Sequence, residues 1–162
     1  IYTLSWDYDA KGNIIKEIDA IGRVITRKYD ANNNKIYEQG PKLDCYKVFS
    51  YDFMNRLIKE EEIHADKNNR AISHRYDYCS NRIASIDENG NQTTFKYDPF
   101  GRVIEIVYPY VFNEDMVACQ PVKKIAYDAM SKVTKEVNPR GIEKHMSYNI
   151  RGKLVQSTYA DG

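Results

Sequence analysis

One string returns seven times along this chain and leaves few folds open to it. A tyrosine followed by aspartate or asparagine stands at Tyr8, Tyr29, Tyr51, Tyr76, Tyr97, Tyr127 and Tyr148, at successive spacings of 21, 22, 25, 21, 30 and 21 residues. A recurring period of this length marks a repeat architecture. The basic unit is therefore 21 residues, and the longer units carry insertions.

Within each basic unit a finer period appears. Asp9-Ala10-Lys11-Gly12 is followed by Asp19-Ala20-Ile21-Gly22, and Asp77-Tyr78-Cys79-Ser80 by Asp87-Glu88-Asn89-Gly90. Asp128-Ala129-Met130-Ser131 is likewise followed by Asn138-Pro139-Arg140-Gly141. An aspartate or asparagine at the head of such a tetrapeptide accepts a hydrogen bond from the backbone two residues on. A proline second, as at Pro99 and Pro139, sets φ for a type I turn, and a glycine fourth supplies the left-handed residue of a bulged hairpin. Asn33, Asn55, Ser80 and Ser131 take the glycine position where glycine is absent. Tyr8-Asp9 with Gly12, Tyr29-Asp30, Tyr51-Asp52, Tyr76-Asp77, Tyr97-Asp98 with Gly101, Tyr127-Asp128, and Tyr148 with Gly152 are thus read as strand ends entering turns.

Between the turns lie short runs such as Asn13–Ile18 and Arg23–Tyr29, rich in β-branched and aromatic residues. No stretch holds a helical period. The expectation is an all-β fold: an antiparallel β-meander of about 12–14 short strands, two per repeat. Ile15, Ile36, Ile58, Ile83, Ile104, Thr134 and Val155, each seven residues after a repeat tyrosine, form one apolar ladder. Two residues further come Glu17, Glu38, Glu60, Ser85, Ile106, Glu136 and Ser157, so neither face is cleanly apolar. A sandwich needs one strongly apolar face. Mean hydropathy is −0.67, and 14 of the residues are tyrosines, which bury a ring and keep a polar tip. A single-layer sheet wetted on both sides fits better. A β-propeller, whose repeat would be about 40 residues, fits the seven units unevenly.

Other features exclude more than they suggest. With 24 basic and 23 acidic residues the net charge is +1, so no basic field exists to attract nucleic acid. No apolar run is long enough to insert in a membrane. Cys45, Cys79 and Cys119 are odd in number and widely spaced, and read as gap-filling side chains. His64, His74 and His145 lie in different units without a shared motif. Glu60, Glu61, Glu62 and Asp66 read as a solvated strand edge. No catalytic, cofactor or metal residue is assigned, and the protein is read as a non-enzyme.

The pattern resembles the RHS/YD repeat, which runs close to YDxxGR before an aliphatic strand. Tyr97-Asp98-Pro99-Phe100-Gly101-Arg102-Val103 matches best, then Tyr8-Asp9-Ala10-Lys11-Gly12-Asn13-Ile14. Tyr51-Asp52-Phe53-Met54-Asn55-Arg56-Leu57 lacks only the glycine. The resemblance spans residues 1–162 as a single segment and implies a curved sheet forming part of a hollow shell, as in Tc toxins, Rhs polymorphic toxins and teneurins. It further implies a structural role in a secreted or surface bacterial protein, enclosing and helping deliver a C-terminal toxin. The partners would be the remaining shell and the enclosed domain of the same polypeptide. Asp98-Pro99-Phe100-Gly101 looks like one element of a self-cleaving DPxG core, but it stands mid-array as an ordinary turn. The chain reads as a fragment, opening at Ile1 and ending within the pattern at Gly162. The alternative is a cell-surface adhesion module binding carbohydrate on its tyrosines.

Two insertions carry whatever is specific. Tyr108-Pro109-Tyr110-Val111-Phe112 through Pro121 reads as an ordered extended hairpin, with Tyr108, Tyr110 and Phe112 as partner contacts. Glu61–Arg75 reads as a polar insertion turning at Asp66-Lys67-Asn68-Asn69. Isolated, an open sheet with unpaired edges is expected to self-associate or to curl under its loops.

Overall fold

The computed structural model describes residues 3–112 and 116–160. Strands follow one another without an intervening helix among these residues: β1 (Ser5–Tyr8), β2 (Ile14–Ile18), β3 (Val24–Tyr29), β4 (Lys35–Gln39), β5 (Cys45–Tyr51), β6 (Leu57–His64), β7 (Arg70–Tyr76) and β8 (Arg82–Ile86). Then come β9 (Gln92–Tyr97), β10 (Val103–Val107), β11 (Val111–Phe112), β12 (Ala118–Cys119), β13 (Val122–Tyr127), β14 (Val133–Val137), β15 (Glu143–Tyr148) and β16 (Leu154–Ala160). Fourteen form an open antiparallel meander in chain order, and β11 and β12 pair separately as a ribbon. The expected strand number and all-β class are what the structure shows. Two compact units divide the chain, residues 1–74 with 87–89 and residues 75–86 with 90–162.

In the first unit, each turn forms as its tetrapeptide dictates. Gly12, Asn33 and Asn55 adopt φ of 85°, 68° and 60°. The N–H of each donates to the carbonyl of the aspartate three residues earlier, at 3.0–3.2 Å. In the second unit Ser80 and Ser131 hold φ of 67° and 63° in the same place. Serine there carries a left-handed penalty of about 1–2 kcal/mol that glycine avoids.

The two kinds of turn differ in the strand pairing on their far side. After Asp19 the ladder of β2 and β3 runs without interruption, Ile18 facing Val24 and Glu17 facing Ile25. After Asp9, Tyr8 faces Ile14 but Asp7 faces Lys16, so Ile15 is an extra residue in β2. The same bulge leaves out Ile36, Ile58, Ile104, Thr134 and Val155. These residues of the expected apolar ladder are thus the bulge residues of the tyrosine turns. A bulge bends its strand and breaks the regular bonding.

Burial is shallow. Only Phe49 and Ala84 of the described hydrophobic residues are buried, at 9% and 2% exposure. Along strands such as β2, β4 and β14, successive side chains on both faces keep part of their surface exposed. In the first unit, ion pairs link neighbouring strands on one side of the sheet. Arg27 of β3 reaches Glu17 of β2 at 3.0 Å and Glu38 of β4 at 3.1 Å, and Lys47 of β5 reaches Glu60 of β6 at 2.8 Å. Each such pair contributes about 0.2–1 kcal/mol. The structure corrects one expectation here. Glu60, Glu61 and Glu62 do not form a sheet edge, because β6 is hydrogen-bonded to β5 on one side and β7 on the other.

Gly141 isolates the turn requirement, since a Cβ placed there meets nothing within 4 Å while φ is 84°. Gly141→Ala is expected to destabilise the chain by about 1 kcal/mol, the left-handed penalty less the entropy alanine removes from the unfolded chain. Gly141→Asn should cost less. Urea unfolding at neutral pH measures both, and equal stability for alanine and glycine would refute the assignment.

Candidate functional site

The arrangement that recurs along the described residues is a built turn. Its anchor is the leading aspartate. One Oδ1 of Asp98 accepts the N–H of Phe100 at 2.9 Å and that of Arg102 at 3.0 Å, while Oδ2 accepts the Arg102 guanidinium at 2.7 Å. Asp52 repeats this with Met54 and Arg56. Asp9 and Asp30 do so with Asn13 and Asn34, whose side-chain amides replace the guanidinium at 2.9 Å. Asn149 keeps only the two backbone bonds, from Arg151 and Lys153, at 3.0 Å.

Electrostatics follows from this geometry. Burial pushes the Asp98 carboxyl up, yet the Arg102 N–H and guanidinium, with the Phe100 N–H, outweigh it and hold the group below the usual carboxylate range. Asp52 is lowered in the same way, against its own burial, by Arg56 and Met54. The amide and N–H of Asn13 lower Asp9, and those of Asn34 lower Asp30. A carboxylate this fully engaged in its own turn is held there as an anion by the donors around it.

The tyrosine before the turn reaches across to the preceding unit. The hydroxyls of Tyr29 and Tyr51 donate to the carbonyls of Ile14 and Lys35, at 3.2 and 2.9 Å. Those of Tyr97, Tyr127 and Tyr148 donate to Arg82, Val103 and Val133, at 2.9, 2.9 and 2.8 Å. Each acceptor is the first residue of a strand that has just left a tyrosine turn. The ladder toward the next strand stops short of it: between β10 and β13, for instance, at Glu105 facing Lys124. The tyrosine supplies the bond that the splayed backbone cannot. Burial raises the Tyr51 and Tyr97 phenols, consistent with their covered positions.

Turns also touch their neighbours directly. Arg102 donates to the Asp128 carbonyl at 3.0 Å and the Ser131 hydroxyl at 3.1 Å, and its guanidinium lies 4.7 Å from the Tyr127 ring centre. In the first unit Asn34 reaches Asn55 Oδ1 at 2.8 Å and Asn13 reaches Asn33 Oδ1 at 3.2 Å. Sequence reasoning gave no role to Asn13, Asn34, Arg56 or Arg102. The signal was present, since asparagine or arginine follows the turn's fourth residue in each of these units.

Residues 76–110 match the family model described as RHS Repeat. Over that stretch the chain is similar to an RHS repeat. The matched stretch contains the Tyr76 and Tyr97 turns and the start of the long insertion. Fold likeness extends well past it. The crystal structure of TcdB2-TccC3 matches 97% of this chain with a TM-score of 0.78 at 14% identity, over 9% of its own length. TcdB2-TccC3 without its hypervariable C-terminal region gives 0.77 at 13% identity, with the same 97% and 9% coverage. A Tc holotoxin pore from Photorhabdus luminescens gives 0.56 at 15% identity, with 97% of this chain and 12% of that one covered. At such identities the likeness is one of fold. No curated protein matches the sequence.

The remaining assigned residues fall apart in space from the turns. Tyr108 anchors the base of the long insertion, its N–H donating to the Pro121 carbonyl at 2.9 Å. Tyr110 and Phe112 stand out from it, 71% and 70% exposed. Residues 113–115 of this insertion lie outside the described residues. The second insertion is a lengthened β6–β7 hairpin turning over residues 65–69. Its strand β6 brings Glu62 and His64 beside Cys45 of β5, residues that the sequence presents as unrelated.

The lowered aspartates set a pH dependence. Their unfolded value is 3.8 and their folded values lie below it. As pH falls through this range the unfolded chain takes up protons first, so the stability present above it is progressively lost. The urea midpoint is expected to hold steady down to about pH 4.5 and to fall below that. Asp98→Asn, which keeps the backbone bonds as Asn149 does, should flatten the slope. A midpoint unchanged through the acid range would contradict the anchored-carboxylate account.

Proposed function

We propose that this chain is a wall segment of a larger RHS shell in a secreted or surface-exposed bacterial protein, enclosing and helping deliver a C-terminal toxin of the same polypeptide. The observation that carries the reading is an antiparallel meander that matches the TcdB2-TccC3 fold across 97% of this chain while spanning 9% of that one. A layer in which Phe49 and Ala84 are the only buried hydrophobic residues among those described suits a wall between two aqueous compartments better than the core of a globule. TcdB2-TccC3 carries a hypervariable C-terminal region, and a variable domain of that kind is the proposed cargo. The segment itself is read as non-enzymatic, binding neither cofactor nor nucleic acid.

Exposed side chains on the turns suggest where further wall would meet it. Tyr78, Phe100, Met130 and Ile150, 98%, 81%, 74% and 101% exposed, all occupy middle positions of tyrosine turns in the second unit. Such a row favours apolar contact with another surface. The insertion residues Tyr108, Tyr110 and Phe112 are proposed as a second contact. The same bare rings support the alternative, a carbohydrate-binding adhesion module, because aromatic faces stack on sugars.

The test is the parent polypeptide. A DPxG-rich core followed by a compact, unrelated domain, toxic when expressed alone and protease-resistant within the intact protein, is expected. Repeats running out into an anchor, with no enclosed domain and with glycan binding lost in Tyr78→Ala and Phe100→Ala, would overturn the toxin reading in favour of adhesion.

A further inference from the structure

The antiparallel register of β5 and β6 sets Cys45 directly opposite His64 and Lys47 opposite Glu62. Glu62 and His64, two residues apart on one strand, project to the same face. Three side chains of different donor chemistry therefore meet at one end of this hairpin. The Cys45 sulfur, a Glu62 carboxylate oxygen and an imidazole nitrogen of His64 all lie within 4.8 Å of one another, each residue half-buried. His64 Nε2 is 3.2 Å from Glu62 Oε1. The backbone beneath is fixed on both sides of His64, with Tyr46 facing Ile63 and the Ala65 N–H donating to the Asp44 carbonyl at 2.9 Å. Asn69 Oδ1 also accepts the His64 N–H, at 3.2 Å.

We propose that Cys45, Glu62 and His64 form a three-ligand site for a divalent transition metal of the zinc class. Tetrahedral bonds of about 2.0–2.3 Å place ligand atoms roughly 3.5 Å apart. The three donors reach that spacing by side-chain rotation on a fixed backbone. The donor set selects the metal. A thiolate and an imidazole disfavour magnesium and calcium, which take oxygen, and suit zinc or cobalt. Thiolate and carboxylate together balance the charge of a divalent cation. The ammonium of Lys47, facing Glu62 in register, is bonded to Glu60 at 2.8 Å. Glu62 and His64 also line an open polar groove of about 570 Å³ with Lys67, Asn68, Asn69 and Arg70, so water can complete the fourth position from there.

The contact between Glu62 and His64 involves two of the three groups, and the Cys45 sulfur adds a third donor within the same span. On binding, the metal displaces the thiol proton, and any proton on the imidazole, to solvent, so affinity falls on acidification. The ion would staple β5 to β6 and add its binding free energy to the stability of that hairpin.

Cobalt(II), titrated alone into the reduced chain, is the probe. The expected result is one equivalent bound, with a thiolate-to-cobalt charge-transfer band and a four-coordinate visible spectrum, both removed by zinc. Cys45→Ser should abolish the charge-transfer band and His64→Ala should weaken binding, while the Cys79→Ser/Cys119→Ser variant keeps the full spectrum. Far-UV circular dichroism confirms folding of each variant. Absence of the band in the unaltered chain, its survival in Cys45→Ser, or its loss in Cys79→Ser/Cys119→Ser would each overturn the proposal.

Discussion

A tyrosine hydroxyl donating to a backbone carbonyl in the preceding unit is the contact on which the rest of this sheet depends. At these bulges the backbone ladder lapses on the side facing the next hairpin, and an unbonded carbonyl there would have only water. Tyr29, Tyr51, Tyr97, Tyr127 and Tyr148 close that gap. Each such bond is worth about 1 kcal/mol net. In a layer lacking a dry interior, a bond of that size repeated from unit to unit is a large share of what holds neighbours together. Stability is then nearly one-dimensional, with each unit leaning on the adjacent ones.

The aspartate is the other half of the device. It fixes the turn that places the tyrosine, and its second oxygen draws in Arg102 or Asn34, which in turn reach the next turn. Tyrosine and aspartate are therefore adjacent in sequence because one builds the hairpin and the other joins it to its predecessor. The cross-strand ions around Arg27 do the same work on a face of the first unit where apolar burial is thin.

Much of this could be read from the residues alone, because turns are local. The leading aspartate, the left-handed fourth residue and its substitution by Asn33, Asn55, Ser80 and Ser131 all follow from backbone sterics within four residues. What lay beyond the sequence was non-local. The bulge at Ile15 or Ile104 is a property of two strands, and nothing in a single isoleucine announces it. Glu60–Glu62 looked like an edge because a run of charges suits one, yet β6 is paired on both sides, with β5 and β7. Cys45 and His64 stand 19 positions apart, and only the β5–β6 register makes them neighbours.

The insertions show how the design tolerates growth. Residues 108–121 leave the sheet at Tyr108 and return at Pro121, and β10 and β13 pair as consecutive strands would. Specific contacts can therefore vary on such excursions while the rim of turns stays unchanged. Amide hydrogen exchange resolved by residue tests the account of that rim most directly. The N–H groups of Met54, Arg56, Phe100, Arg102, Met130 and Lys132 belong to solvent-facing turns, yet each is bonded to an aspartate oxygen. They are expected to exchange far more slowly than an unstructured peptide, together with their neighbouring strands. Exchange at unstructured rates in these turns, alongside protected strands, would contradict the claim that the aspartate anchors the repeat.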